Sequence, residues 1–104
     1  CKHINITSKY FHYITSEKVI KLLVKYGLNL SDINYKNDEY KTPIYCMTEN
    51  AINKGTNMYY QGIKVLLKYG GNPNIKCGDN LLTCMELAIN KNNNIVMDIL
   101  SKYG

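Results

Sequence analysis

The chain has 104 residues, room for one domain and not two, and it is 45% apolar, enough for a packed core and too much for intrinsic disorder. All 13 basic residues are Lys, for a net charge of +5; they stand singly, which suits a solvated surface, and without Arg there is no bidentate reader of guanine or phosphate. No run of 18 apolar residues exists to cross a membrane as a helix, and Cys1 to Asn5 shows no signal-peptide pattern.

In chain order, a divergent short helix is expected over Ile6 to Tyr13, with Ser16 capping the next helix. In Val19 to Gly27, Val19, Leu22, Leu23 and Tyr26 fall at i, i+3, i+4, i+7 and share a predicted apolar face. Lys25 in the last turn suits the helix dipole, and Gly27 supplies the left-handed stop. Turn formers occupy Leu28 to Lys36. Thr42-Pro43-Ile44 starts a helix, with the Thr hydroxyl as cap and Pro at the first helical position. Gly55, Thr56 and Asn57 are expected as loop. Tyr59, Ile63, Leu66 and Leu67 then form a helical stripe closed by Tyr69-Gly70. Gly71 to Lys76 is again turn, Thr83 caps another short helix, and Val96 to Gly104 repeats the long-helix pattern.

Three segments are therefore copies of one another: Val19 to Gly27, Gly62 to Gly70 and Val96 to Gly104, their end glycines 43 and 34 residues apart. The short helices share Ala51-Ile52-Asn53-Lys54 and Ala88-Ile89-Asn90-Lys91. The unit is turn, short helix, loop, longer helix and Gly, with a natural period of about 33 residues. The longer interval holds ten extra residues, three of which fit within Leu28 to Asp32 and seven around Asn53 to Tyr60.

Little else in the chain carries chemistry. Cys1, Cys46, Cys77 and Cys84 form no C-x-x-C pair, and His3 and His12 are the only His, so no zinc spacing is present. Cys46 reads as a core cysteine, although His12 is available as a base. No phosphate loop and no hydrolase or metalloprotease motif occurs. No catalytic residue, cofactor or metal ligand is assigned. Free thiols suit a reducing compartment.

With these motifs the sequence resembles the ankyrin family. Gly70-Gly71-Asn72-Pro73-Asn74 is similar to its G-A-D-x-N turn, Thr42-Pro43-Ile44-Tyr45 to its T-P-L-H, and Thr83-Cys84-Met85-Glu86-Leu87-Ala88 keeps the Thr, Leu and Ala of T-P-L-H-L-A. Residues 16–104 carry the likeness; Phe11 and His12 stand where the family prefers small residues. Asn, Lys, Ile and Tyr, all with A/T-rich codons, supply 49 of 104 residues, and this composition with uneven repeats is similar to poxviral ankyrin proteins.

The resemblance implies an all-α ankyrin-repeat solenoid of about three helix-turn-helix repeats, approximately 1–33, 34–74 and 75–104, cut from a longer protein. Leu28, Leu30, Val96 and Ile99 are then expected to be exposed where a further repeat would sit, and Tyr26, Tyr69 and Tyr103 to bridge repeats. It implies a non-enzymatic protein-binding module: a host-range or immune-evasion adaptor in the host-cell cytoplasm that binds a host protein. Through an F-box-like segment not present here, the parent would recruit a cullin-based ubiquitin ligase. Small-molecule and membrane partners are not expected. Carried over by position, the contact residues are Asp38, Glu39, Lys41 and Glu49 in one repeat and Asp79, Asn80, Leu82 and Asn90 in the next. Tyr35 and Tyr40 flank the first tip as large, rigid anchors, and Leu82 is expected to be an exposed apolar residue. Two alternatives stay open: an electrostatic binder of nucleic acid or an anionic surface, and a structural spacer.

Overall fold

The computed structural model describes residues 11, 12 and 14–104. The expected helix over Ile6 to Tyr13, like Cys1 and His3, lies largely or wholly outside them. Among the described residues the chain is all-helical, with five α-helices, short 3-10 turns at residues 11–12 and Leu30–Asp32, and no strand. No helix there is long and apolar enough to cross a membrane.

Four of the five α-helices begin where a side chain can satisfy their first free N–H groups. The Ser16 hydroxyl accepts from the Val19 N–H at the head of α1 (Glu17–Lys25). Thr42 does the same for Tyr45 at the head of α2 (Pro43–Lys54), with Pro43 at the first helical position. The α3 helix (Asn57–Lys68) has no side-chain cap bond. Thr83 and Glu86 cap α4 (Cys84–Asn90) reciprocally, and Asn93 caps α5 (Asn94–Tyr103). The caps expected at Ser16, Thr42 and Thr83 are thus present; those of Glu86 and Asn93 are additions.

The helix stops share one device. Gly27, Gly70 and Asn92 adopt φ of 114°, 104° and 53°. The next N–H then folds back onto the helix: Leu28 to Leu23 O at 2.9 Å, Gly71 to Leu66 O at 2.7 Å, and Asn93 to Ala88 O at 2.9 Å.

Packing joins α2 to α3 and α4 to α5, and then lays α2 on α4 and α3 on α5. Ala51 and Ala88, the small residues of the repeated short-helix motif, are fully buried. Gly62 permits a close approach: a Cβ there would stand 2.7 Å from Met47 Sδ and 2.9 Å from the Ile14 carbonyl oxygen. Phe11, Ile14, Ile20, Ile44, Met47, Ile63, Leu66 and Val96 make one core. The molecule measures 49 × 27 × 21 Å, longer than it is wide.

Four expectations are corrected. The extra residues lengthen the helices of the second pair: α2 has 12 residues against 7 in α4 and α3 has 12 against 10 in α5, so Asn57 belongs to α3, while Gly55 and Thr56 lie between the helices as expected. The Val19–Leu22–Tyr26 stripe of α1 faces outward, with Leu22 53% exposed, whereas Ile20 is fully buried and Leu23 packs against the core. Leu28, Val96 and Ile99 are buried and Leu30 is half-buried, because the chain folds back after α1 and α5 lies against α3 and α4. Leu82 is half-buried and Leu81 is the exposed neighbour, because the Cys77–Leu82 bridge turns Leu82 toward the core.

Candidate functional site

Two turns, residues 34–42 before α2 and 70–83 before α4, lie side by side. Asn34 joins their bases: its Nδ2 donates to Gly70 O at 3.2 Å and its Oδ1 accepts from the Asn72 N–H at 2.7 Å. Lys36 Nζ donates to Lys76 O at 2.9 Å. At the tips, the Gly78 N–H donates to Tyr40 O at 3.1 Å. Between them the Thr42 hydroxyl lies 3.6 Å from Cys77 Sγ.

The first tip is shaped by Asn37. Its Oδ1 accepts from the N–H groups of Glu39 and Lys41, at 2.9 and 3.1 Å, and its backbone pairs with Tyr40 and Lys41. This is a side-chain mimic of a backbone turn. It carries Tyr40 at φ 59°, a left-handed value that an L side chain rarely adopts, and leaves that ring 70% exposed. The second tip is closed by backbone alone: Cys77 and Leu82 exchange two hydrogen bonds, at 2.8 and 3.1 Å, with Gly78 at φ 72° inside the turn.

Between the tips and the first turns of α2 runs a groove of about 360 Å³, lined by Asp38, Glu39, Tyr40, Lys41, Tyr45, Glu49, Gly78, Asp79 and Asn80. Seven of the ten expected contact residues therefore meet in one place. Tyr35 is exposed but does not line the groove, Leu82 packs inward from the second tip, and Asn90 is exposed at the far end of α4. Tyr45 and Gly78 join the site without having been expected. Their signals were a Tyr in place of the His of T-P-L-H, and a Gly ahead of Asp79-Asn80.

Lys41 Nζ sits 3.2 Å from Glu49 Oε2 and 4.0 Å from Glu39 Oε1. Partial burial works against its charge, yet the Glu49 hydrogen bond and charge outweigh this and hold its pKa above the usual value. Asp38 and Asp79 have no ion-pair partner among the described residues. Tyr45 is only 4% exposed. Burial, then the Glu49 charge, pushes its phenol pKa up.

The thiols close to the groove are held neutral. Burial raises Cys46 to about 11 and Cys84 to about 12, far from the thiolate form that nucleophilic chemistry needs. Cys46 Sγ accepts from Asn37 Nδ2 at 3.6 Å, and His12 Nε2 lies 3.3 Å from Lys41 O, so each has its own neighbour. Among the described residues no three His, Cys, Asp or Glu side chains come together closely enough to hold a metal ion. The arrangement suits non-covalent recognition: mixed charge, two Tyr hydroxyls and a concave surface built from two adjacent turns.

A second tie joins neighbouring helix pairs. Glu17 at the head of α1 accepts from Lys68 Nζ and from the Tyr69 hydroxyl, the latter at 2.8 Å. The Lys68 hydrogen bond, then that of Tyr69, lowers the Glu17 pKa. Tyr69 thus bridges α3 to α1; Tyr103 is exposed with Lys64 of α3 over its ring at 5.5 Å, and Tyr26 is exposed beside Lys25. Comparison with family models, characterised proteins and solved structures finds no match to this chain.

Proposed function

We propose that the chain is an ankyrin-repeat module that holds a partner protein across the tips of adjacent turns. The supporting observation is the Gly78–Tyr40 hydrogen bond, which sets two turns about one repeat apart tip to tip and leaves a groove between them. The pairing of α2 with α3 and of α4 with α5, and the lying of one pair on the other, is the arrangement that such a stack requires. Composition and uneven repeats extend the proposal to a poxviral host-range or immune-evasion adaptor in the host-cell cytoplasm. For a longer parent chain, the proposal is that the partner becomes the substrate of a cullin-based ubiquitin ligase.

The test is affinity capture from host-cell lysate, with the native chain beside a Tyr35/Tyr40/Leu81 triple-Ala variant, at low and at moderate salt. Leu81 is chosen because Leu82 packs inward. A discrete protein retained at moderate salt by the native chain and lost by the variant is the expected result. Nucleic acid retained equally by both, and only at low salt, overturns the proposal in favour of charge-driven binding. No retained partner leaves a spacer as the reading and overturns it as well.

A further inference from the structure

We propose that the outward face of α1, the stripe of Val19, Leu22 and Tyr26 edged by Lys18, Lys21 and Lys25, docks an amphipathic helix of a partner protein. That helix carries an apolar stripe and an acidic edge, and one of its carboxylates is bound by Lys25 and the Tyr26 hydroxyl. The surface includes none of the groove residues, so the inference goes beyond the turn-tip reading.

The three long helices are copies in sequence, so each position of α1 has equivalents in α3 and α5. Leu22 corresponds to Val65 and Ile99, and Val19 to Gly62 and Val96. All four equivalents are buried, whereas Leu22 and Val19 are exposed. The difference is packing. The α3 and α5 helices lie on each other and on the short helices, while among the described residues no helix packs on α1 to a like extent.

The second observation is a tie that the molecule already makes. At the end of α3, Lys68 Nζ and the Tyr69 hydroxyl both donate to Glu17 Oε2 at the head of α1, the hydroxyl at 2.8 Å. Val65 lines the same groove as Glu17. The end of α5 turns the same way, since Tyr103 meets Lys64 of α3. Each long helix thus reaches the long helix before it, and at α3 the reach ends on a carboxylate. The residues of α1 equivalent to Lys68 and Tyr69 are Lys25 and Tyr26, and both are exposed. Lys25 has no ion-pair partner among the described residues and lies over the Tyr26 ring, 5.9 Å from its centroid. The face therefore presents the same two donors with no carboxylate between them.

Charge selects the occupant. On the helical wheel Leu22 centres the stripe; Leu23 leads from one side to the core, and the three Lys follow one another along the other. Glu17 is committed to Lys68 and Tyr69, with Lys21 at 3.9 Å. A second copy laid face to face would set Lys against Lys, which is repulsive. An acidic edge pairs with the row instead. The stripe runs two helical turns, about 10 Å, the spacing of the i, i+3 and i+7 anchors by which one amphipathic helix is held. Three apolar side chains offer a lipid surface too little area to bury.

The experiment is a heteronuclear NMR titration of the full chain at near-physiological ionic strength. The probe is a capped Ala-based peptide of about 18 residues, long enough to form a helix in water, with Leu along one stripe and Glu along its edge. Its Gln counterpart and phosphatidylserine/phosphatidylcholine vesicles are run beside it. Saturable shifts at the amides of Val19, Leu22, Lys25 and Tyr26 are expected with the Glu peptide, and binding about tenfold weaker with Gln. Leu22→Ala weakens the Glu peptide about tenfold, Lys25→Gln about fivefold and Tyr26→Phe about threefold, while Lys102→Gln on α5 leaves it unchanged. The amide spectrum reports whether each variant folds; Lys25→Gln, at an exposed position, serves if Leu22→Ala does not.

Equal binding of the Gln peptide, shifts centred away from α1, or no saturation at millimolar peptide each overturn the proposal. So do the other occupants: vesicle binding that Leu22→Ala abolishes, a dimer in sedimentation that Leu22→Ala dissolves, or contacts to Leu22 from elsewhere in the free chain. The turn-tip reading is tested separately, because the Tyr35/Tyr40/Leu81 variant leaves every residue of this face in place.

Discussion

The two turns that make the groove reach the same outcome by different local chemistry. In the turn before α2, the Asn37 carboxamide organises the tip and the residue at positive φ is a tyrosine. In the turn before α4, a two-way backbone exchange between Cys77 and Leu82 organises the tip, and Gly78 accepts the left-handed conformation without steric cost. Leu81, also at positive φ, adds strain there. Both nevertheless place an aspartate at the apex, Asp38 and Asp79, and both hand the chain to a threonine that caps the next helix. Tip geometry is therefore set by stacking, and each turn uses whatever side chains it has to meet it.

The caps give the sharpest test of this comparison. Thr42 is fully buried and also faces Cys77 of the other turn, whereas Thr83 is partly exposed and shares its cap with Glu86. Thr42→Ala is expected to cost about 2 kcal/mol and Thr83→Ala about 1 kcal/mol by urea denaturation. Equal losses would show that the inter-turn contact adds nothing. Next come the organisers. Asn37→Ala removes the acceptor of two backbone N–H groups and is expected to cost about 1.5 kcal/mol. Asp79→Ala, at an exposed apex closed by backbone, is expected to stay within about 0.5 kcal/mol.

Alkali probes the thiols under the two turns. Their folded pKa values, about 11 for Cys46 and about 12 for Cys84, lie above the ordinary value of 9.0. The unfolded chain therefore releases those protons first. The stability they contribute is intact below pH 9 and falls as pH rises toward the folded values. A loss on the order of 1 kcal/mol per thiol is expected at pH 10. Urea midpoints across pH 7 to 10 would measure it, and a Cys84→Ala chain should show a shallower decline. The smallest effects concern backbone strain. Gly78→Ala should cost about 1 kcal/mol, since the added methyl has room but φ does not suit it. Tyr40→Gly should gain about 0.5 kcal/mol of stability and weaken partner binding. Thermal melts distinguish these, and a destabilising Tyr40→Gly would mean that the ring packs more than its exposure suggests.

Much of the architecture was legible beforehand because its signals are local. Ser16, Thr42 and Thr83 cap helices through hydroxyls that act within three residues, and Gly27 and Gly70 stop them through their own φ. The length of α2 and α3 was not legible: of the expected loop Gly55, Thr56 and Asn57, only Gly55 and Thr56 lie between the helices, and Asn57 already belongs to α3. The outward stripe of α1 shows the same limit: Val19, Leu22 and Tyr26 have helical periodicity, but periodicity names a face and not its partner. Of the groove, Asp38, Glu39, Lys41, Glu49, Asp79 and Asn80 were expected from what the resemblance implies for turn tips and short helices, and Tyr40 as a residue flanking the first tip. Tyr45 was missed because it is a buried residue of the helix start, whereas contacts were sought on exposed positions, and Leu82 was misplaced because one residue of register separates it from Leu81.

By itself, then, the sequence determined the helical class, the caps, the stops and the repeated unit, because each depends on hydrogen bonds and dihedral angles within a few residues. Only the tertiary structure decided which apolar faces are buried, how the extra residues are absorbed and that Asp38 and Asp79 share one groove. Those outcomes depend on contacts between residues some forty positions apart, such as Tyr40 with Gly78 and Asn34 with Gly70. No local pattern encodes such contacts until neighbouring turns stack.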